Sequence, residues 1–365
     1  MVPSRKNMNR VPVADNSPAH TDTKDSGSGP LAFSRAFPGV IRIEPSSLCT
    51  LRCLHCPTGT VKFSRGVMDA GTFARILENI RVNIHNIRVV VLYHGGEPFL
   101  NKEFLTMVRK IKDSGVPHIK TDTNGTLLNL NLIQQICESG LDEIVFSLDG
   151  TSFEQNDTIR RGCDGRRVSE NIKKLAEYKR TNGFAKPDIF IATTQFLEKC
   201  KKIGDQLPAI PQYLHDFFAD EITRRDLSFR TTFAMKWPDL NMDEELFEVI
   251  CDSEGPQIRN FCDDIISTIT IRWNGDIVPC CYDLTSKMVM GNLLKEDIGT
   301  VWNNKKYLRL RKGIYEKKFC PLCDSCNIVK PRRFLLLKEP LKNWLNKGMI
   351  KNMEIDPETI TGEET

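Results

Sequence analysis

The stretch CTLRCLHC, residues 49–56, places three cysteines in eight positions with the spacing C-x3-C-x2-C. Thiolates are the usual protein ligands of iron–sulfur clusters and of structural zinc, and a closed structural site needs four ligands. Cys49, Cys53 and Cys56 supply only three. One metal position is therefore left for something other than this loop, which indicates chemistry rather than a structural staple. A zinc knuckle or buried free thiols are the alternatives.

Four further motifs contain residues suited to binding a charged ligand. In YHGGEP (93–98), two glycines allow close backbone approach, and the adjacent carboxylate can receive an ammonium group. TNG (123–125) and SLDG (147–150) place polar side chains beside turn glycines, and IRRG (159–162) carries two arginines. Plain strand-ending turns and surface charges are the structural alternatives for these motifs.

A regular alternation of strands and helices must position these loops. Apolar residues at helical spacing, such as Phe73, Ile76, Leu77 and Ile80, predict amphipathic helices between the strands. Parallel strands need such crossover helices, so we predict an α/β fold, a partial (β/α)6 TIM-like barrel with its functional loops at the carboxyl ends of the strands. The predicted strands are VIRIEP (40–45), RVVVLY (88–93), HIKTDT (118–123), EIVFSL (143–148), DIFIATT (188–194) and a segment near 227–235.

The chain divides into four predicted regions. Residues 1–35 are rich in small and polar residues, so we predict a disordered tail. The barrel spans 36–240, and a small cysteine-rich domain organised around metal spans 241–330. Residues 331–365 are predicted to form a basic helical segment followed by an acidic tail.

The composition is that of an ordinary soluble protein. Of 365 residues, 40% are hydrophobic and 27% are charged, which is sufficient for a large core. No apolar run approaches the length of a membrane span, and the first residues lack a signal peptide's apolar stretch. We therefore expect a cytoplasmic protein without a nucleic-acid partner. Its thirteen cysteines are expected to be reduced. They are expected to serve as metal ligands rather than to form disulfides.

The cysteine spacing after a first strand, with the other motifs in this order, resembles the radical SAM enzyme superfamily. The resemblance implies that Cys49, Cys53 and Cys56 hold three irons of a [4Fe–4S] cluster and that S-adenosylmethionine chelates the fourth. It also implies reductive cleavage of S-adenosylmethionine to a 5′-deoxyadenosyl radical, which abstracts a hydrogen atom from the substrate. The cofactor would thus occupy the position that the cysteines leave open.

The same resemblance assigns residues that bind S-adenosylmethionine. Glycines and a carboxylate of HGGEP would bind the methionine amino group, and an arginine of IRRG its carboxylate, with Arg161 as the alternative choice. His55 stands where the family usually has an aromatic ring against the adenine, which is a departure that an imidazole can tolerate. The implied set is His55, Gly95, Gly96, Glu97, Asn124, Ser147, Asp149 and Arg160.

The C-terminal region resembles the SPASM or shorter Twitch extensions that carry auxiliary clusters. The resemblance rests on Cys262, GDIVPC (275–280), GNL (291–293), Trp302 and CPLCDSC (320–326). Because no cysteine follows Cys326, we expect one auxiliary [4Fe–4S] cluster rather than two. The preferred ligands are Cys262, Cys280, Cys323 and Cys326. Alternatives stay open: Cys281 for Cys280, Cys320 as the partner of Cys323, or a tetrahedral zinc site.

Two residues beside these ligands are candidate catalytic groups. Asp283 stands near the position at which some dehydrogenating relatives carry a general base, although two residues separate it from Cys280. Cys281 could donate a hydrogen atom, as in radical epimerisation, but packing or alternate ligation is the simpler interpretation. The remaining cysteines are interpreted as small apolar residues: Cys137, Cys163, Cys200 and Cys251.

The sequence is consistent with three functions. The favoured one is oxidation or epimerisation of a small polyol, sugar or aminocyclitol with help from the auxiliary cluster. Modification of a peptide or protein is the second, and it is weakened because only 48 residues precede Cys49 and are predicted to be disordered. A zinc-stabilised, non-catalytic binding module is the third.

A basic region suggests partners. Residues 304–351 contain fourteen Lys or Arg and three Asp or Glu. Such a surface would suit an acidic reductant of the flavodoxin or ferredoxin type. Its part 331–351 would also suit contact with a membrane surface, and a solvated basic helix is the alternative.

Overall fold

The computed structural model describes residues 33–197, 208–238, 240, 244, 247–251, 258–330 and 333–337. The predictions for residues 1–32, for Cys200 and for residues 338–365 lie outside the described residues, and so does the side chain of Cys251.

The described strands are β1 (Val40–Ile43), β2 (Arg52–Cys53), β3 (Val89–Val91), β4 (His118–Thr123), β5 (Glu143–Ser147), β6 (Arg160–Arg161), β7 (Asp188–Gln195), β8 (Ser228–Phe233), β9 (Phe247–Cys251), β10 (Thr268–Ile271), β11 (Asp276–Val278), β12 (Gly291–Asn292) and β13 (Arg333–Leu337). Nine of them form one sheet in the order β12-β11-β10-β1-β3-β4-β5-β7-β8. Neighbours from β10 to β8 are parallel, whereas β10–β11 and β11–β12 are antiparallel. All six predicted barrel strands are present, so the predicted partial barrel is confirmed.

The described helices are α1 (Pro57–Thr60), α2 (Ala70–Val82), α3 (Phe104–Asp113), α4 (Leu130–Cys137), α5 (Phe153–Ile159), α6 (Gly165–Thr181), α7 (Gln212–Phe217), α8 (Ala219–Arg224), α9 (Asp263–Ser267), α10 (Ile298–Trp302), α11 (Lys305–Tyr315) and α12 (Pro321–Asp324). Short 3₁₀ turns cover Ile84–Asn86 and Pro98–Leu100. The helix predicted near 209–220 is two helices, α7 and α8, which meet at Phe218. Within the described residues, no helix combines the length and apolarity needed to cross a membrane.

The alternation of side chains along the strands separates the core from the site. In β1, Ile41 and Ile43 are fully buried and share a core with Ile76 and Ile80 of α2. In β4, Ile119 and its alternate neighbours are buried in the same way, while the residues between them are half-buried. Successive side chains of a strand point to opposite faces, so one face packs on the helices and the other faces the inside of the partial barrel.

The cysteine-rich region continues the barrel sheet instead of forming a separate one. Strand β10 pairs in parallel with β1 from Val40↔Thr268 to Ile43↔Ile271. Ile269 and Ile271 are fully buried in the same hydrophobic core as the barrel strands. The region predicted as a small domain is therefore attached to the barrel through backbone hydrogen bonds and a shared core. The boundary at residue 240 stays a prediction.

Two ends of the chain differ from the predictions. Residues 33–35, predicted to belong to a disordered tail, pack on the C-terminal region, where the Arg35 amide donates to Asn303 Oδ1 at 2.9 Å. Residues 333–337, predicted to begin a basic helix, form strand β13, which is antiparallel to β9. The apolar run there buries Leu335 in a small cluster with Phe247, and pairing with β9 provides the backbone hydrogen bonds.

We predict that a substitution in β10 destabilises the barrel as a whole. Ile269→Ala should lower the free energy of unfolding by about 2–5 kcal/mol, because it removes buried methyl groups from a packed core. Ile258→Ala is the matched control, since Ile258 is 45% exposed. Urea unfolding followed by circular dichroism measures both. A separate early transition in Ile269→Ala, with the barrel signal unchanged, would show that the two regions fold independently.

Candidate functional site

The three cysteines of the first motif lie on one side of a pocket at the carboxyl end of the barrel strands. The loop after β1 returns through β2, which pairs with β6 so that Cys53 stands opposite Arg160. The amide of Cys56 donates to the Cys53 carbonyl at 3.2 Å, which tightens the loop. Cys49, Cys53 and Cys56 all line this pocket of about 200 Å³. The sequence spacing thus places three thiols around one space.

Burial disfavours the thiolate forms of Cys49 and Cys53. Burial raises the pKa of Cys49 to about 12, and it raises the pKa of Cys53 as well, against the lowering effect of Arg160. Cysteines coordinate metals as thiolates, so a cation at this site would have to displace their protons.

The HGGEP loop is held against the start of the cysteine loop by close backbone contacts. The Glu97 amide donates to the Leu48 carbonyl at 2.7 Å. A Cβ atom on Gly96 would lie 2.3 Å from the Ser46 carbonyl oxygen, so only glycine fits there. The Gly95 amide donates to Glu44 Oε1 at 3.0 Å. These contacts place both glycines and Glu97 on the wall of the same pocket as the thiols.

Glu97 is a buried carboxylate with three donors around it. Only 1% of the residue is exposed. Its oxygens accept from Thr123 Oγ1 at 2.8 Å, from the Asn124 amide at 2.9 Å and from the Phe99 amide at 3.2 Å. Burial raises the pKa of Glu97 to about 7, although the hydrogen bonds oppose this shift. A cationic ligand would stabilise the charged form.

Asn124 connects the loop after β4 to the cysteine loop. Its amide nitrogen Nδ2 donates to Thr50 Oγ1 at 3.0 Å and lies 3.6 Å from Cys49 Sγ. Thr50 and Thr126 hydroxyls are 2.8 Å apart, which adds a second link. The TNG motif therefore lies beside the first thiol.

Arg160 and His55 are oriented by one buried carboxylate. Arg160 Nε lies 2.7 Å from Asp149 Oδ2, and His55 Nε2 lies 3.5 Å from the same oxygen. Asp149 is fully buried, and its Oδ1 accepts from the Thr194 amide at 2.8 Å. Arg160, His55 and Ser147 line the pocket, whereas Asp149 and Arg161 are not among its lining residues. Asp149 thus lies behind the pocket and positions its two neighbours.

The later cysteines converge in a second group. The side chains of Cys262, Cys280, Cys323 and Cys326 are each only 7–8% exposed, while Cys281 and Cys320 are half-buried. A hydrogen bond with Cys320, burial, and the nearby Cys280 and Cys326 all raise the pKa of Cys323. The four preferred ligands are thus the more buried set. Of the remaining cysteines, Cys137 is buried in the main core and Cys163 packs at its edge.

The two candidate catalytic residues beside this group have different environments. Asp283 is fully buried, and its two oxygens accept from the Lys287 and Met288 amides at 2.8 and 2.9 Å. It therefore caps a turn and does not line the pocket described above. The Cys281 thiol donates to Asp264 Oδ2 at 3.2 Å. Neither arrangement supports the catalytic role suggested for these residues, and those roles stay predictions.

A buried network that the sequence analysis did not single out joins the two groups of cysteines. Glu44, at the end of β1, accepts from Arg272 Nε at 2.7 Å as well as from Gly95. His94 Nδ1 lies 3.3 Å from Glu44 Oε1, and His94 Nε2 donates to the Cys281 carbonyl at 3.2 Å. The only sign of this network in the sequence was Glu44, a charged residue directly after a buried strand. The network attaches the HGGEP loop to the loop of the second cysteine group.

We predict a pH-dependent stability contribution from Glu97. Its pKa in the folded protein, about 7, lies above that of an unfolded glutamate, so folding favours the protonated form. This contribution is fully present below about pH 4.5 and is lost as the pH rises through 7. The stability of the cofactor-free wild type relative to Glu97→Gln should therefore fall between pH 5 and pH 8. Urea unfolding at both pH values tests this, and a constant difference would contradict it.

The chain matches two family models. The model of the radical SAM superfamily matches residues 43–189, and the model of the SPASM iron–sulfur cluster-binding domain matches residues 262–327. Both matches lie within the regions predicted for the barrel and for the cysteine-rich extension.

Curated relatives and a solved structure agree with these matches. The chain is 26% identical, over 325 residues, to the tungsten-containing aldehyde ferredoxin oxidoreductase cofactor-modifying protein of Pyrococcus furiosus, covering 79% of this chain and 88% of the relative. It is 24% identical, over 257 residues, to a probable GTP 3',8-cyclase of Methanococcus maripaludis, covering 66% of this chain and 83% of the relative.

The crystal structure of BtrN in complex with AdoMet and 2-DOIA superposes with a TM-score of 0.53 at 17% identity, covering 82% of this chain and 98% of that chain. At that identity the superposition shows a shared fold. By the two family matches, the chain carries a radical SAM domain over residues 43–189, whose superfamily uses a [4Fe–4S] cluster and S-adenosylmethionine, and a SPASM iron–sulfur cluster-binding domain over residues 262–327.

Proposed function

We propose that this enzyme cleaves S-adenosylmethionine at the pocket of Cys49, Cys53 and Cys56 and abstracts a hydrogen atom from a small polyol, sugar or aminocyclitol, which is oxidised or epimerised. The observation that carries the proposal is the convergence of these thiols, the HGGEP glycines and the buried Glu97 on one pocket. An auxiliary [4Fe–4S] cluster held by Cys262, Cys280, Cys323 and Cys326 would assist the reaction.

The types of residue that line the pocket support the binding of these cofactors. When bound, the reduced cluster supplies the electron that cleaves the sulfonium of S-adenosylmethionine and yields the 5′-deoxyadenosyl radical. Cys49, Cys53 and Cys56 would hold the cluster. Glu97, buried and surrounded by donors, would accept the methionine ammonium, and this pairing would keep its carboxylate ionised.

Arg160 would bind the methionine carboxylate, because it lines the pocket and is fixed in orientation by Asp149. His55, on the same wall, would lie against the adenine. Asn124 and Ser147 complete the pocket lining on the side of the neighbouring strands.

The inner face of the barrel supports a polar small molecule as substrate. Charged and polar side chains occupy this inner face near the pocket. Tyr93 and Asp122 line the pocket itself. Arg230 Nη1 and Nη2 bind Glu143 at 2.8 and 3.0 Å on the same face. Such a face offers hydrogen bonds to hydroxyl and amino groups. The names of two relatives, a cofactor-modifying protein and a GTP cyclase, also describe small-molecule chemistry.

The reductant is proposed to be an acidic protein of the flavodoxin or ferredoxin type. Lysines and arginines of α11 and its surroundings line a surface pocket whose wall includes Cys320, beside the second cysteine group. Opposite charge would steer such a donor to this surface. Reduced clusters and free thiols suit the cytoplasm, which is the proposed compartment.

The test of the proposed function is cofactor cleavage by anaerobically reconstituted protein. Dithionite-reduced wild type should hold about eight iron atoms per chain, as two cubanes require, and should release 5′-deoxyadenosine from S-adenosylmethionine. Cys53→Ala should hold about four iron atoms and release none. Bound zinc without iron, or cleavage that survives Cys53→Ala, would contradict the proposal.

A matched pair of variants tests the auxiliary ligands in the same assay. Cys280→Ala should lose about four iron atoms while 5′-deoxyadenosine release continues, because only the second cluster is removed. Cys281→Ala is the control and should keep the wild-type iron content. The reverse result would assign Cys281 as the ligand.

A further inference from the structure

The pocket contains a second carboxylate, that of Asp122, which the roles proposed above do not use. Asp122 lies near the end of β4, and Tyr93 lies just beyond the end of β3. Both line the same pocket as Cys49, Cys53 and Cys56. The ammonium and carboxylate of S-adenosylmethionine are already met by Glu97 and Arg160 in the proposed arrangement.

Asp122 has an acceptor oxygen without a partner. The Tyr93 hydroxyl lies near the carboxylate of Asp122 and opposes the rise in its pKa. Asp122 Oδ1, however, is buried and has no hydrogen-bond partner among the described residues. A buried acceptor without a hydrogen-bond partner destabilises the protein, and more so when the group is charged. The oxygen therefore has the character of a binding point whose partner arrives with a ligand.

The neighbouring cations are engaged elsewhere. Arg230, which faces Asp122, forms two hydrogen bonds to Glu143. Lys120 Nζ lies 3.9 Å from Glu143 Oε1. Burial raises the pKa of Asp122 to about 6, against the lowering effects of Lys120, Tyr93 and Arg230. At neutral pH the carboxylate is thus mostly ionised, while Arg230 and Lys120 interact with Glu143.

We propose that Asp122, which lines the pocket beside Tyr93, binds a hydrogen-bond donor of the substrate, and that the preferred donor is a protonated amine. The inference rests on the proposed function and narrows its substrate class to amine-bearing polyols such as aminocyclitols. A charged donor binds this carboxylate more strongly than a hydroxyl does, because charge-assisted hydrogen bonds are about twice as strong as neutral ones. An anionic substrate group would be repelled at this point.

The experiment measures binding to the reconstituted holoenzyme in the presence of S-adenosylmethionine. Isothermal titration uses three probes: 2-deoxystreptamine as an amine, scyllo-inositol as a neutral polyol and glucuronate as an anion. Wild type should bind the amine about tenfold or more tightly than the neutral polyol and should not bind the anion. Asp122→Asn should lose about tenfold or more in affinity for the amine, while Tyr93→Phe should lose less.

Three outcomes would overturn the inference. The first is no saturable binding of 2-deoxystreptamine by wild type. The second is equal affinity for it in wild type and Asp122→Asn. The third is a loss of S-adenosylmethionine affinity in Asp122→Asn as large as the loss of amine affinity, which would assign the carboxylate to the ribose of the cofactor. Release of 5′-deoxyadenosine by the same preparations shows separately whether the proposed function stands.

Discussion

The ion pair between Glu44 and Arg272 connects the parts of this enzyme that its chemistry requires. Both side chains are almost completely excluded from solvent, and their closest atoms are 2.7 Å apart. Burial alone would raise the pKa of Glu44, but Arg272 and His94 lower it to about 2, so the carboxylate stays charged. Removing one member of such a buried pair typically costs about 3–5 kcal/mol, because the other charge is left uncompensated. The pair therefore fixes the positions of two loops, the HGGEP loop and the loop that follows Cys280 and Cys281.

The geometry of both loops follows from this pair. On one side, Glu44 accepts from the Gly95 amide and so fixes the HGGEP loop beside the three thiols. On the other side, Arg272 Nη1 donates to the Leu284 carbonyl and to Ser286 Oγ, each at 2.7 Å, in the segment that follows Cys280 and Cys281. Strands β1 and β10, which carry the two charges, are hydrogen-bonded neighbours. The loops that carry the two cysteine groups are thus connected through neighbouring strands of one sheet.

Local patterns predicted much of this arrangement. Strand periodicity placed all six barrel strands, and the spacing of Cys49, Cys53 and Cys56 predicted their common pocket, because both signals depend on residues close in sequence. The Glu44–Arg272 pair joins residues 228 positions apart, and the pairing of β1 with β10 is equally remote, so neither leaves a local pattern. The position of Asp149 behind the pocket leaves no local pattern either, because its partners His55, Arg160 and Thr194 come from a turn, from β6 and from β7. The apolar run at 334–337 has no helical period of its own, and its strand partner, β9, decides its structure.

The most direct test of this account is the affinity for S-adenosylmethionine of the reconstituted Arg272→Met variant. Arg272 does not line the pocket, so its loss would act on the cofactor indirectly, through partners such as Glu44 and Gly95. We expect affinity to fall by about tenfold or more in Arg272→Met and in Glu44→Gln, and the double variant to be no weaker than either single one, since coupled residues are not additive. Ser286→Ala, which removes another partner of Arg272, should bind nearly as wild type does. Wild-type affinity in a folded Arg272→Met protein would contradict the claim that this pair positions the cofactor site.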